Sequence, residues 1–140
     1  MKTQGKKNNK GFSLVELIIV IAIMSVLIGV LAPQYIKYVE KSRVSADEDL
    51  ADTLLSAGYL MSADEDYCED LTDGDKIVLS NAGIAVQATK NAVQNGMDEF
   101  TPNWKNKKII SKTYASRQYV VLFQGGAGKS AFTVVGSWSP

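Results

Sequence analysis

From residue 12 to residue 32 the chain is an almost unbroken apolar run. Phe12 to Ala32 is 21 residues with a single charge, Glu16. A helix rises about 1.5 Å per residue, so this run reaches roughly 31 Å, the thickness of a bilayer hydrocarbon core. Its Ile, Val and Leu content also suits a buried strand, but a strand of that length would be abnormal, so length favours a helix. From Pro33 the pattern turns amphipathic. Ile36, Val39, Ala46, Leu50, Leu54, Ala57 and Met61 recur at three- and four-residue spacing and predict one buried helical stripe. Asp47, Glu48, Asp49 and Asp52 fall largely off that stripe. Arg43 falls on it, to snorkel or to pair with Asp47 four residues on. The two patterns join into one helix over 12–62, roughly 50 residues and roughly 75 Å long. Its first part, 12–32, spans the membrane and packs a core; its second, 33–62, is amphipathic and backs a head. Gly29 and Pro33 are its weak points. Pro33 removes a backbone hydrogen bond and predicts a kink, either a simple bend after the membrane exit or a hinge that lets the helix extend. Gly58 is a soft spot in the second part.

Residues 63–140 predict a small α/β head. Lys76 to Ser80 reads as a strand, Asn81-Ala82-Gly83 as a turn, and Ile84 to Gln87 as a strand pairing back. Ala88 to Asn95 is helical in character, starting as early as Ala82 and stopping at Gly96. Thr101 to Lys108 reads as loop, and Ile109-Ile110 as the start of a strand. Arg117 to Gln124 is β-rich, with Tyr119, Val121 and Phe123 on one face. Gly125-Gly126-Ala127-Gly128 is a turn, and Ala131 to Val135 a second strand reaching toward Trp138. The fold class is therefore α+β: a long N-terminal helix packed against an antiparallel sheet of three or four strands.

Charge orients the apolar run. Lys2, Lys6, Lys7 and Lys10 all precede it, so the N-terminus stays cytoplasmic and the head lies outside. A cleaved secretory signal would cut after Val30-Leu31-Ala32, but Pro33 would then open the mature chain and Glu16 would sit in the signal's apolar region. A plain anchor explains the hydropathy but not the acid six residues after the last Lys.

Gly11-Phe12-Ser13-Leu14-Val15-Glu16, after a basic leader and before an apolar helix, resembles the N-terminal signature of type IV pilins and pseudopilins. Pro33, Tyr35 and Tyr38 fall where that family often has a helix proline and aromatics. The resemblance covers Lys10 to Tyr38, about a quarter of the chain. It implies that residues 1–11 are a leader removed between Gly11 and Phe12 by a prepilin peptidase, and that Phe12 is then N-methylated. It makes Glu16 the family's assembly glutamate, which meets the new Phe12 ammonium of a neighbouring subunit. It implies a helical homopolymer, first a single-pass membrane protein and then an extracellular filament, with an assembly ATPase and a platform membrane protein as partners. Filaments of this family serve adhesion, motility and secretion. A type II secretion pseudopilin, a competence (DNA-uptake) pilin and, from another class, a membrane-anchored binding module are the alternatives.

Composition removes other functions. Without residues 1–11 the chain has 11 basic and 15 acidic side chains, a charge of −4, and so no electrostatic footprint for nucleic acid. There is no histidine, and no nucleophile–base constellation that would mark an enzyme. The single cysteine, Cys68, cannot close an intrachain disulfide, which in this family leans toward a Gram-positive source; it reads as a packed thiol or an intermolecular link. Residues 64–75 form an acidic loop. Asp70, Asp73 and Asp75 around Gly74 are its only calcium candidates and lack EF-hand spacing, so no metal or other cofactor is expected. Gly125 to Ser130 ends in Gly-Lys-Ser like a phosphate-binding loop. The required earlier glycine is Phe123, however, and a strand rather than a helix follows.

Overall fold

The computed structural model describes residues 11–125 and 132–139. The basic leader, the glycine turn beyond Gly125 and the first residue of the second C-terminal strand, Ala131, lie outside them. Two compact units divide the chain, one ending at Tyr38 and the next beginning at Val39.

The first unit is helical. Helix α1, Leu14–Ala63, begins in it and passes through Pro33 without a break in its assignment. Its apolar side chains are exposed throughout, from Phe12 at 91% to Val20 at 49%. By length and composition the helix can cross a membrane, and none of its most apolar window is buried.

The second unit pairs the rest of α1 with a four-stranded antiparallel sheet of order β2-β1-β3-β4. Strand β1 is Lys76–Ser80, β2 Gly83–Gln87, β3 Gln118–Gln124 and β4 Thr133–Ser139. The register sets Ile77 opposite Val121, and Val121 opposite Gly136. Period-two alternation puts Ile77, Leu79, Tyr119, Val121, Phe123 and Val134 on the face that forms the core. The helix contributes Ala51, Leu54, Ala57 and Met61. Both the strand pairing and the C-terminal hairpin agree with the sequence reading. Helix α2, Glu65–Cys68, and helix α3, Ala92–Phe100, complete the unit with a 3-10 turn at Trp104–Asn106.

Several expectations need correction. The buried stripe of α1 runs through Asp47, Ala51, Leu54, Gly58 and Met61, so Asp47 lies on it while Ala46 and Ile36 are exposed. Arg43 is exposed and makes no pair with Asp47. Gly58 is not slack: a Cβ there would meet Val134 Cγ1 at 2.9 Å and Val121 Cγ1 at 3.0 Å, so its missing side chain lets helix and sheet approach. Gly96 does not stop a helix. It sits inside α3 under Met61, where packing outweighs the backbone cost of a mid-helix glycine. The helix starts at Ala92, later than Ala82 or Ala88, because residues 83–87 are taken up by β2. Ile109-Ile110 is no strand, because its amides bond elsewhere. The acidic stretch is not all loop, since Asp64 caps α2 by accepting from the Asp66 N–H at 2.9 Å.

Candidate processing and assembly site

The residues singled out by sequence lie at the start of α1. Gly11 and Phe12 precede the helix, and Ser13 is its N-cap position. Glu16, in the first helical turn, reaches back so that the Ser13 N–H donates to its Oε2 at 2.9 Å. This is the reciprocal half of a capping box: the acid satisfies one of the amides that a helix start leaves open, and it favours the positive end of the helix dipole. The next turn closes with the Leu17 N–H donating to the Ser13 carbonyl at 3.2 Å. Gly11, Phe12, Ser13 and Glu16 line one open hollow of about 450 Å³. The bond between Gly11 and Phe12 is thus outside the helix, with its flanking side chain exposed at 91%. Gly29 has nothing within 4 Å of a built Cβ, and Pro33 lies within the same helix.

The head carries a second set of acids that sequence reasoning missed. Asp47, 1% exposed, accepts from the Ile110 N–H at 3.0 Å and the Ser111 N–H at 2.9 Å. Two turns earlier, Glu40 accepts from the Lys112 N–H at 2.6 Å and the Thr113 N–H at 3.0 Å. Partial desolvation pushes the Glu40 carboxyl up, but the Thr113 and Lys112 amides, the Thr113 hydroxyl and Arg43 together hold it below its usual value. Glu48 accepts from the Tyr114 hydroxyl at 2.9 Å, and this bond, with desolvation, raises the Tyr114 pKa. Three acids of one helix therefore clamp the 110–114 segment along α1. The available signal was spacing: 47, 51, 54, 58 and 61 follow helical periodicity once an acid is allowed into the stripe.

The weak calcium candidates have other partners. Asp75, 3% exposed, accepts from the Thr72 N–H at 2.9 Å, the Thr72 hydroxyl at 2.7 Å and the Thr89 N–H at 2.9 Å. Asp73 accepts from the Gly125 N–H at 3.0 Å, and Asp70 pairs with Lys90 at 2.5 Å. Among the described residues no group of three or more His, Cys, Asp or Glu is placed to hold a metal ion. Cys68 is a half-buried free thiol whose Sγ lies 3.8 Å from the Glu65 carbonyl.

Comparison with known proteins bears on both units. The family model described as the prokaryotic N-terminal methylation motif matches residues 6–32. A fimbrial protein of Moraxella nonliquefaciens is 31% identical over 119 residues, which covers 76% of this chain and 75% of that protein. No solved structure matches the chain.

Proposed function

This chain belongs to the type IV pilin family, and from that premise we propose that it is made as a membrane precursor, cut after Gly11, methylated on Phe12 and polymerised through its apolar helix. It is a pilin-like structural subunit, and its family is structural rather than enzymatic. The observation that carries the proposal is the exposed apolar run from Phe12 through the first part of α1 to Leu31. None of its most apolar part is buried among the described residues. Lipid covers it in the precursor, and copies of the same helix cover it in a filament.

Glu16 gives that packing its register. A charged residue at mid-bilayer costs about 2.5–3.5 kcal/mol on insertion scales. The Ser13 amide satisfies part of the Glu16 carboxyl before processing. Cutting after Gly11 creates a Phe12 ammonium, and in a staggered bundle Glu16 of an incoming subunit meets Phe12 of the subunit ahead. A misplaced subunit would leave both charges unpaired in an apolar core, at about 3–5 kcal/mol for a broken buried pair. A prepilin peptidase, an assembly ATPase and a platform membrane protein are the partners this reading requires. The fimbrial name of the Moraxella relative favours a surface filament over a pseudopilus or a DNA-uptake filament.

Mass spectrometry of the N-terminal peptide from surface-sheared material tests the proposal. A peptide that begins at Phe12 with one added methyl group is expected. A chain that still begins at Met1, or one that begins at Pro33, would refute it.

A further inference from the structure

The sheet of the head ends differently on its two sides. Its β2 edge is covered: the 3-10 turn at Trp104–Asn106 packs against β2, and the Ile109 N–H donates to the Ser80 carbonyl at 3.1 Å, at the hairpin end. Beyond β4, Thr133–Ser139, no further strand pairs among the described residues. Native sheets blunt such an edge with lysine, proline, a bulge or brevity. Strand β4 has none of these. It is 7 residues long, carries no charge and no proline, and pairs with β3 residue for residue, from Gln118 opposite Ser139 to Gln124 opposite Thr133. The register shows which groups face the open side. The Phe123 N–H donates to the Asp75 carbonyl and the Phe123 carbonyl accepts from the Gly74 N–H, so both groups point to the β1 side, away from β4. Bonding direction alternates along an antiparallel strand, so Leu122 and Val120 bond to β4, at Val135 and Ser137. Val134, Gly136 and Trp138 therefore turn their N–H and C=O groups outward. Thr133, Val135 and Ser137, on the outer face of the sheet, are exposed and uncharged.

We infer that this β4 edge pairs antiparallel with the β4 edge of a second copy of the chain. Alternating donors and acceptors along an edge are satisfied by another extended strand, and this row is complementary to itself. Centred on Gly136, the pairing sets Val134 of each copy opposite Trp138 of the other and Gly136 opposite Gly136. All three outward residues then exchange bonds in both directions, roughly six in all. Val135 of each copy faces Ser137 of the other at the close spacing of a non-hydrogen-bonded pair, and no charge opposes the approach. The contact is isologous and closes on two copies. Its two-fold axis stands perpendicular to the sheet, and Ala51 to Met61 of α1 lie along the sheet face, so these stretches of the two copies run in opposite directions. The inference rests on the filament reading above, in which subunits of one filament all point the same way. The edge therefore joins two filaments that lie side by side and run in opposite directions, and repetition along their length turns a weak contact into a strong one.

The test uses filaments sheared from cells that make the full chain. Low-speed sedimentation reads their side-by-side association, which unaltered filaments should show. Val135→Glu with Ser137→Glu sets glutamate against glutamate across the pair and should lower the pelleted fraction by roughly tenfold at unchanged filament yield. Val135→Lys with Ser137→Glu sets lysine against glutamate and should restore it. Filaments of Val135→Cys chains mixed with filaments of Ser137→Cys chains, each also carrying Cys68→Ser, should form disulfide-linked dimers with a copper–phenanthroline oxidant. Unaltered filaments that stay apart overturn the inference, as do double-glutamate filaments that associate like unaltered ones, or a mixture that gives no linked dimers. Loss in the lysine–glutamate variant as well overturns it by giving the edge to a strand of another protein. A fall in filament yield overturns it by placing the edge inside one filament. Each of these results leaves the filament reading intact. If the unaltered chain, processed to Phe12, forms no filaments, the filament reading fails and the inference falls with it.

Discussion

Replacing Asp47 by Ala removes the acceptor of two amides across the head, and its cost follows from the geometry. The Ile110 and Ser111 N–H groups donate to the two carboxyl oxygens at 3.0 and 2.9 Å. A hydrogen bond to a charged acceptor contributes about 1.5–3 kcal/mol. Ser111 is 2% exposed, so its amide would be left buried without a partner. Ile110 lies at the surface, where water can take over its amide and offset most of the second loss. The sum is about 2–4 kcal/mol. For a unit of this size each kcal/mol moves the melting temperature by roughly 4–8 °C, so Asp47→Ala should melt about 8–30 °C lower. Thermal unfolding of the full chain in detergent micelles measures the shift, and amide exchange at Ile110 and Ser111 should accelerate selectively. Asp49→Ala removes the same charge from an exposed site two residues away and should change stability by less than about 0.5 kcal/mol. Equal melting of the two variants, with exchange at 110–111 unchanged, would refute the clamp.

Gly58→Val forces a branched side chain toward Val134 and Val121 and should cost about 1–3 kcal/mol in the same melting experiment; wild-type melting would mean that helix and sheet are less closely packed than described. The Tyr67 hydroxyl is hydrogen-bonded to Glu99, and this bond first, then desolvation, pushes its pKa up from 10.0 to about 12. The raised value means that its contribution to stability is present below pH 10.0 and lost as pH rises through about 12. An ultraviolet titration should show this late tyrosinate step and lose it in Tyr67→Phe; an unchanged titration would contradict the assignment. Glu16→Ala should abolish sheared filaments while the peptide beginning at Phe12 still forms in the membrane fraction, and normal filaments from that variant would contradict the register argument.

The sequence reading succeeded where one physical signal dominated. The run from Phe12 to Ala32 is long and apolar with one acid, so its helical character and its odd Glu16 were legible without a structure. Strand β1 was legible because Gly83, at a φ of 137°, supports a sharp return that only glycine makes without strain. It failed where two signals competed. The charge on Asp47 argued for solvent, while the backbone amides that hold it come from residues more than sixty positions away, invisible to any local window. Gly96 carried a stop signal that tertiary packing against Met61 overrode. Ile109-Ile110 looked like a strand because it is extended and apolar; instead Ile109 donates to the Ser80 carbonyl and the next two amides go to the helix. The 64–75 acids read as a solvated loop without calcium-binding spacing, and that reading missed that Asp75 is buried and accepts from Thr72 and Thr89, residues that an oxygen-rich sequence does not pair by itself.

One consequence follows from where burial begins along the chain. Among the described residues every buried side chain lies at Asp47 or beyond. The head therefore completes its interior without any contribution from the apolar half of α1. On the filament reading proposed above, leaving the bilayer for a bundle of sister helices changes the surroundings of one segment while the other keeps the interior it already has. Polymerising and folding are then separate equilibria. On the proposed filament reading, a subunit waits in the membrane with its head already folded and joins a filament without refolding it.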